Sequence, residues 1–70
     1  MTPEDLRAAS GLSVAALSRR ADVDRSVIDR IERGDDVSAA SIDAVAAALG
    51  VEAADLMAAW QRVRAARSAS

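Results

Sequence analysis

The chain has 70 residues, a formal net charge of −2, and neither cysteine nor histidine. This length suffices for one small domain, and the missing residue types exclude disulfides and the usual zinc sites. No apolar run approaches the ~18 residues of a membrane-spanning helix, so we expect no membrane insertion.

A first helix is predicted over residues 3–10. Its start is marked by Thr2-Pro3-Glu4-Asp5, which supplies an N-cap hydroxyl, a proline for the first turn and two acids for the positive end of the helix dipole. Leu6 falls on the side that would face a core, and Gly11 is the expected C-terminal stop.

Two short helices are predicted next, over residues 14–21 and 25–33. Ser13 is the expected N-cap of the earlier one. In the later one, Ile28 and Ile31 fall on one side at helical spacing, and the polar residues fall on the other. The later helix would therefore bury its isoleucines and expose its arginines.

The segment Asp22-Val23-Asp24 is the predicted turn between these two helices. Asp22 stands where a tight turn often requires a positive φ, which Gly, Asn and Asp tolerate best. We expect the carboxylate of Asp24 to cap the next helix by accepting bonds from its first backbone N–H groups. The arrangement is typical of a helix-turn-helix, with residues 25–34 as the helix that would enter a DNA groove.

Two further helices complete the predicted fold, over residues 39–49 after the N-cap Ser38 and over residues 53–67. The first of them carries the core-facing stripe Ile42, Val45, Ala46 and Leu49, and the second carries Leu56, Met57, Trp60 and Val63. No strand-like alternation appears. The sequence therefore predicts an all-α, compact five-helix domain over residues 1–67 and a frayed tail at 68–70.

The order and spacing of these elements resemble the XRE-like helix-turn-helix family, the phage-repressor and Cro type. The residues that carry the resemblance span most of the chain: Arg7, Gly11-Leu12-Ser13, Leu17, Ala21, Val23, Ser26, Ile28, Ile31-Glu32-Arg33-Gly34, Leu49-Gly50-Val51 and Leu56. It implies a repressor-like domain with its third helix in the major groove. It also implies use as a homodimer on double-stranded DNA with a near-palindromic operator.

Matched position by position, the resemblance implies base contacts from Arg25, Ser26, Asp29 and Arg30, and phosphate contacts from Ser13 and the backbone of Val14. Arg19 and Arg20 flank the turn and Arg33 lies late in the third helix, so we expect these three also to contact phosphate. Arg7 and Glu32 match a family ion pair that braces the first helix against the third. That pair is structural and is not expected to contact DNA.

The chain departs from the family pattern at several places, two of which lie in or directly after the helix-turn-helix. Val14 stands where a polar residue is common, and Asp35-Asp36 stands where basic residues often follow the third helix. The two acids would repel a nearby phosphate. They are either a solvated loop or an acidic contact for a partner protein.

Simpler alternatives stay open for the other candidates. Arg25 is either a guanine contact or a solvated side chain paired with Asp29 one turn later. For Arg19 and Arg20 the alternative to phosphate binding is solubility. The last predicted helix carries Met57, Trp60 and Val63, which either cap the core or form an exposed dimer interface.

No enzymatic activity, cofactor or metal is expected, because the chain lacks a nucleophile beside a base, a glycine-rich phosphate loop and metal-ligand spacing. We expect a small sequence-specific DNA-binding transcriptional regulator, such as a Cro-like phage protein, a repressor or an antitoxin. Its expected location is the cytoplasm of a bacterial or phage-infected cell, at the nucleoid. The alternative is a protein–protein interaction module on the same scaffold, with weak or no DNA binding.

Overall fold

Five α-helices follow one another along residues 1–69, the part of the chain that this computed structural model describes. They are α1 (Pro3–Ala9), α2 (Val14–Ala21), α3 (Arg25–Arg33), α4 (Ala39–Leu49) and α5 (Ala53–Ala69). No strand occurs in these residues, so the predicted all-α fold is confirmed. The α1 helix ends one residue before the predicted Ser10. The α5 helix includes Ser68 and Ala69 of the predicted frayed tail, and Ser70 lies outside the described residues.

Most helices begin at the capping residues that the sequence predicts. Thr2 and Asp5 form a reciprocal capping box: the hydroxyl of Thr2 accepts from the backbone N–H of Asp5 at 3.1 Å, and the carboxylate of Asp5 accepts from the backbone N–H of Thr2 at 3.0 Å. The hydroxyls of Ser13 and Ser38 likewise accept from backbone N–H groups three residues later. The helix starts are thus set by bonds within four residues.

Asp24 is the exception among the predicted caps. It occupies the N-cap position of α3, but its side chain makes no capping hydrogen bond, so the predicted role of its carboxylate is wrong. The backbone carbonyl of Asp24 instead accepts from the N–H of Val27 at 3.0 Å. Asp24 is exposed, and hydration of its carboxylate competes with the capping bond.

The turn between α2 and α3 depends on a left-handed residue. Asp22 has φ 56°, as predicted, and ends α2. The backbone N–H of Val23 then donates to the carbonyl of Ser18 at 3.0 Å. This closes the last turn of α2 and sends the chain directly into α3.

The core lies between α2, α3, α4 and α5. Its buried side chains are Leu17, Ile28, Ile31, Ile42, Val45, Ala46 and Leu56. Each large apolar side chain buried in this way contributes roughly 1.5–3 kcal/mol. Within the described residues, no helix is long and apolar enough to span a membrane. Because Ile28 and Ile31 belong to the core, α3 is held by its buried face, and its opposite face is exposed to solvent.

Candidate nucleic-acid interface

The outer face of α3 presents the four predicted base-contact residues together. Ile28 and Ile31 are each only 1% exposed, which fixes the rotation of the helix about its axis. The residues turned to solvent by this packing are Arg25, Ser26, Asp29 and Arg30, all of them exposed. One helical surface thus carries two guanidinium groups, a hydroxyl and a carboxylate, a set that can bond to base edges in a major groove.

The predicted phosphate contacts lie at the start of α2, in its last turn and in the last turn of α3. Ser13 is exposed at the start of α2, and Val14 packs its side chain against the core, so Val14 offers only its backbone N–H. The first N–H groups of a helix have no partner within the helix and attract anions. Arg19, Arg20 and Arg33 are exposed as well.

Arg7 and Glu32 join α1 to α3 through a two-pronged ion pair. Nε of Arg7 lies 2.6 Å from Oε2 of Glu32, and Nη2 of Arg7 lies 3.2 Å from Oε1. The two side chains are 17% and 16% exposed, and the hydrogen bond to Glu32 raises the pKa of the Arg7 guanidinium. Arg7 also donates to the carbonyl of Leu12 at 3.2 Å. The pair holds α3 in place and leaves neither group directed at a ligand.

The residues predicted to form a dimer interface are partly covered by their own chain. Met57 and Trp60 pack against the core, and all three of Met57, Trp60 and Val63 are half-buried. Nε1 of Trp60 donates to the backbone carbonyl of Asp35 at 2.9 Å. Trp60 therefore faces the end of α3. A dimer contact through the outer edges of Met57, Trp60 and Val63 remains a prediction.

A group of charged residues that the sequence analysis did not predict joins the end of α3 to α5. This α3–α5 ionic cluster consists of Arg33, Asp35, Asp36, Arg64 and Arg67. Asp35 lies between two arginines: Nε of Arg33 is 3.2 Å from its Oδ2, and Nη1 of Arg67 binds its Oδ1. Nη1 of Arg64 is 2.7 Å from Oδ1 of Asp36.

Backbone and ring contacts anchor the same arginines. Nη1 of Arg64 donates to the carbonyl of Gly34 at 3.1 Å, and the guanidinium carbon of Arg64 lies 4.9 Å from the ring centroid of Trp60. Nη1 of Arg67 donates to the carbonyl of Arg33 at 3.0 Å. These contacts place two positive charges at the carboxyl end of the α3 dipole, which favours them.

The ionic cluster changes the pKa of Asp35. The hydrogen bond from Arg67 lowers the pKa of its carboxyl below the ordinary value, and the charges of Arg67 and Arg33 act in the same direction. Asp35 is therefore more than a solvated loop residue. The sequence held one signal for this: Arg64 and Arg67 are spaced to lie on the same side of α5 as Trp60.

A family model described as a helix-turn-helix domain matches residues 4–60. The match includes every predicted base and phosphate contact. It stops before Arg64 and Arg67, the α5 half of the ionic cluster. The comparisons with curated proteins and with solved structures gave no match.

Proposed function

The chain belongs to the helix-turn-helix domain family, a class of DNA-binding domains, and on this ground we propose that it is a small sequence-specific transcriptional regulator of the Cro or repressor type. It binds double-stranded DNA with α3 in the major groove. Domains of this kind are typically not enzymes, and we propose binding alone as the activity here.

The observation that carries the proposal is the exposed polar face of α3, held outward by two buried isoleucines. Arg25, at the start of α3, is placed to bond the O6 and N7 atoms of a guanine with both guanidinium nitrogens. Ser26 and Arg30 extend the same surface. Asp29 either accepts from a cytosine amine or orients Arg25 one turn earlier.

Phosphate contacts from α2 and from the end of α3 would fix the position of α3 on the duplex. The start of α2 at Ser13 and Val14 offers backbone N–H groups, and Arg19, Arg20 and Arg33 offer exposed positive charges. Such contacts orient a protein without reading the sequence. They also make affinity fall with salt, by a slope of about −0.9 for each phosphate neutralised.

We further propose that the protein acts as a homodimer in a bacterial or phage-infected cell. Two copies of α3 would then read half-sites ~34 Å apart, which requires a near-palindromic operator. The outer edges of Met57, Trp60 and Val63 on α5 are the proposed contact between the copies.

Selection from a library of random duplexes at low salt tests the proposal directly. We expect enrichment of one near-palindromic motif, bound with an affinity that falls steeply as salt rises. The double variant Arg25→Ala and Arg30→Ala, checked for folding by circular dichroism, serves as the control and should enrich nothing. Failure of the wild-type protein to enrich any motif would contradict DNA recognition. It would favour the protein–protein interaction module instead.

A further inference from the structure

Two carboxylates stand at the end of the proposed recognition helix. The backbone N–H of Asp35 donates to the carbonyl of Arg30 at 2.8 Å, and that of Gly34 donates to the carbonyl of Ile31 at 3.2 Å. These bonds fix Asp35 within about one turn of Arg30, a proposed base contact. A duplex that receives Arg30 would bring its phosphates toward Asp35 and Asp36, which would repel them.

The α5 helix brings positive charge to the same place. A Cβ on Gly34 would lie 2.9 Å from the backbone nitrogen of Arg64, so α5 passes in direct contact with the end of α3. From there Arg64 reaches Asp36 at 2.7 Å, and Arg67 binds Asp35. The two arginines thus match the two carboxylates in number and position.

The exposed ion pairs themselves add little to the stability of this arrangement. The side chains of Asp36 and Arg64 are 94% and 41% exposed, and those of Asp35 and Arg67 are 34% and 57% exposed. Ion pairs at such exposure contribute little to folding. They do change the local charge, because without Arg64 and Arg67 only Arg33 would balance the two carboxylates that face an approaching duplex.

We propose that Arg64 and Arg67 are positioning residues of the DNA interface, which neutralise Asp36 and Asp35 so that phosphates can approach the end of α3. Arg67 and Arg33 bind different oxygens of the Asp35 carboxylate. This inference rests on the proposed function. Both positioning residues lie beyond the region that matches the helix-turn-helix family.

The test compares affinities for the selected operator at low salt. Arg67→Gln should weaken binding about fivefold, the scale of one unit charge near a phosphate in water. Arg62→Gln is the matched control: it removes the same charge from α5, but Arg62 bonds to the carbonyl of Met1 at 3.2 Å, away from the cluster. We expect it to change affinity by less than about twofold.

A rescue experiment distinguishes neutralisation of Asp35 by Arg67 from phosphate binding by Arg67 and from a purely structural role. Arg67→Gln combined with Asp35→Asn should return affinity to within about twofold of the wild type, with an unchanged salt slope. Arg67→Lys, which keeps the charge, should bind nearly as well as the wild type. The pair Arg64→Gln and Asp36→Asn should behave in the same way.

Four results would overturn the inference. If Arg67 binds a phosphate itself, the double variant stays weak and its salt slope falls by about one. If Arg67 is merely structural, Asp35→Asn restores no affinity to Arg67→Gln and the salt slope of the double variant stays unchanged. If Arg67→Gln binds like Arg62→Gln, the inference fails while the proposed function stands. Absence of binding by the wild-type protein would overturn both.

Discussion

The backbone of Arg64 lies directly against Gly34, where α5 passes over the end of α3. A Cβ on Gly34 would come within 2.9 Å of the backbone nitrogen of Arg64 and 3.0 Å of Cγ1 of Val63. Gly34 also has φ 76°. Both the backbone conformation and the helix–helix contact therefore require glycine at this position.

Gly34→Ala should destabilise the fold by about 3 kcal/mol, since ~1–2 kcal/mol of left-handed strain adds to ~1–3 kcal/mol of steric overlap. Gly50→Ala is the matched control, because Gly50 has φ 74° but nothing within 4 Å of the added Cβ. Gly50→Ala should lose only the ~1–2 kcal/mol of stability that the left-handed strain costs. Urea unfolding of both variants measures the difference, and equal losses would contradict the close contact.

Removing one partner of the Arg7–Glu32 pair should be costly. Arg7→Ala leaves the carboxylate of Glu32 mostly buried without its main partner, and we expect a loss of about 2–3 kcal/mol, somewhat below the range for fully buried pairs. The double variant Arg7→Met and Glu32→Leu should recover most of it, because no charge is left behind. A loss for Arg7→Ala as small as that of the surface variant Arg62→Ala would contradict the structural role.

Acid should weaken the fold through Asp35. Its pKa is lowered in the folded protein by the hydrogen bond from Arg67, so its contribution is complete above the ordinary aspartate value of 3.8 and is lost as pH falls through the lower folded value. Asp35→Asn should therefore flatten the fall in unfolding free energy as pH drops below this ordinary value of 3.8.

Asp35→Asn should remove only part of the loss of stability in acid. The pKa of Asp5 is also lowered, by hydrogen bonds with Thr2, so Asp5 contributes to the same loss of stability in acid. Adding Asp5→Asn to Asp35→Asn should flatten the profile further. Identical profiles for Asp35→Asn and the wild type would show that Arg67 does not hold the Asp35 carboxylate in solution.

Arg25→Ala should relax recognition at one base pair of the operator. A bidentate contact to guanine is worth ~1–3 kcal/mol of discrimination, so operators substituted at that pair should become equivalent for the variant. Arg20→Ala provides the contrast, because loss of a phosphate contact weakens all sequences alike and reduces the salt slope by about one. Competition shift assays measure both. Uniform weakening by Arg25→Ala would assign this residue to phosphate instead.

Self-association should be measurable without DNA. Sedimentation velocity at tens of micromolar, roughly a thousandfold above typical specific DNA affinities, should show a dimer. Arg25→Ala, which does not touch α5, should sediment like the wild type. A strict monomer at this concentration would remove the proposed contact through Met57, Trp60 and Val63.

Local bonds explain why most of the fold could be predicted from the sequence. The hydroxyls of Thr2, Ser13 and Ser38 cap their own helices within three residues, and the left-handed Asp22 was expected from its place in a tight turn. The isoleucines of α3 then fix its outer face by helical periodicity. Each of these signals lies close to the structure that it determines.

Features that depend on competition with water or on distant partners could not be predicted in this way. Whether the carboxylate of Asp24 caps α3 depends on its competition with water, which residue type does not reveal. The bond from Trp60 to Asp35 joins residues 25 positions apart, and the pairing of Arg67 with Asp35 joins residues 32 positions apart. Periodicity shows which side of α5 is apolar, but it does not show which loop that side meets.

Trp60 is the only aromatic residue in the chain. Its indole N–H bonds to Asp35 and its ring lies beneath the guanidinium of Arg64, so its ultraviolet emission arises entirely at the junction of α3 and α5. The protein thus contains a single intrinsic fluorophore beside its proposed recognition helix. A spectral shift on titration with duplex would follow the response of that junction in real time, with no label attached.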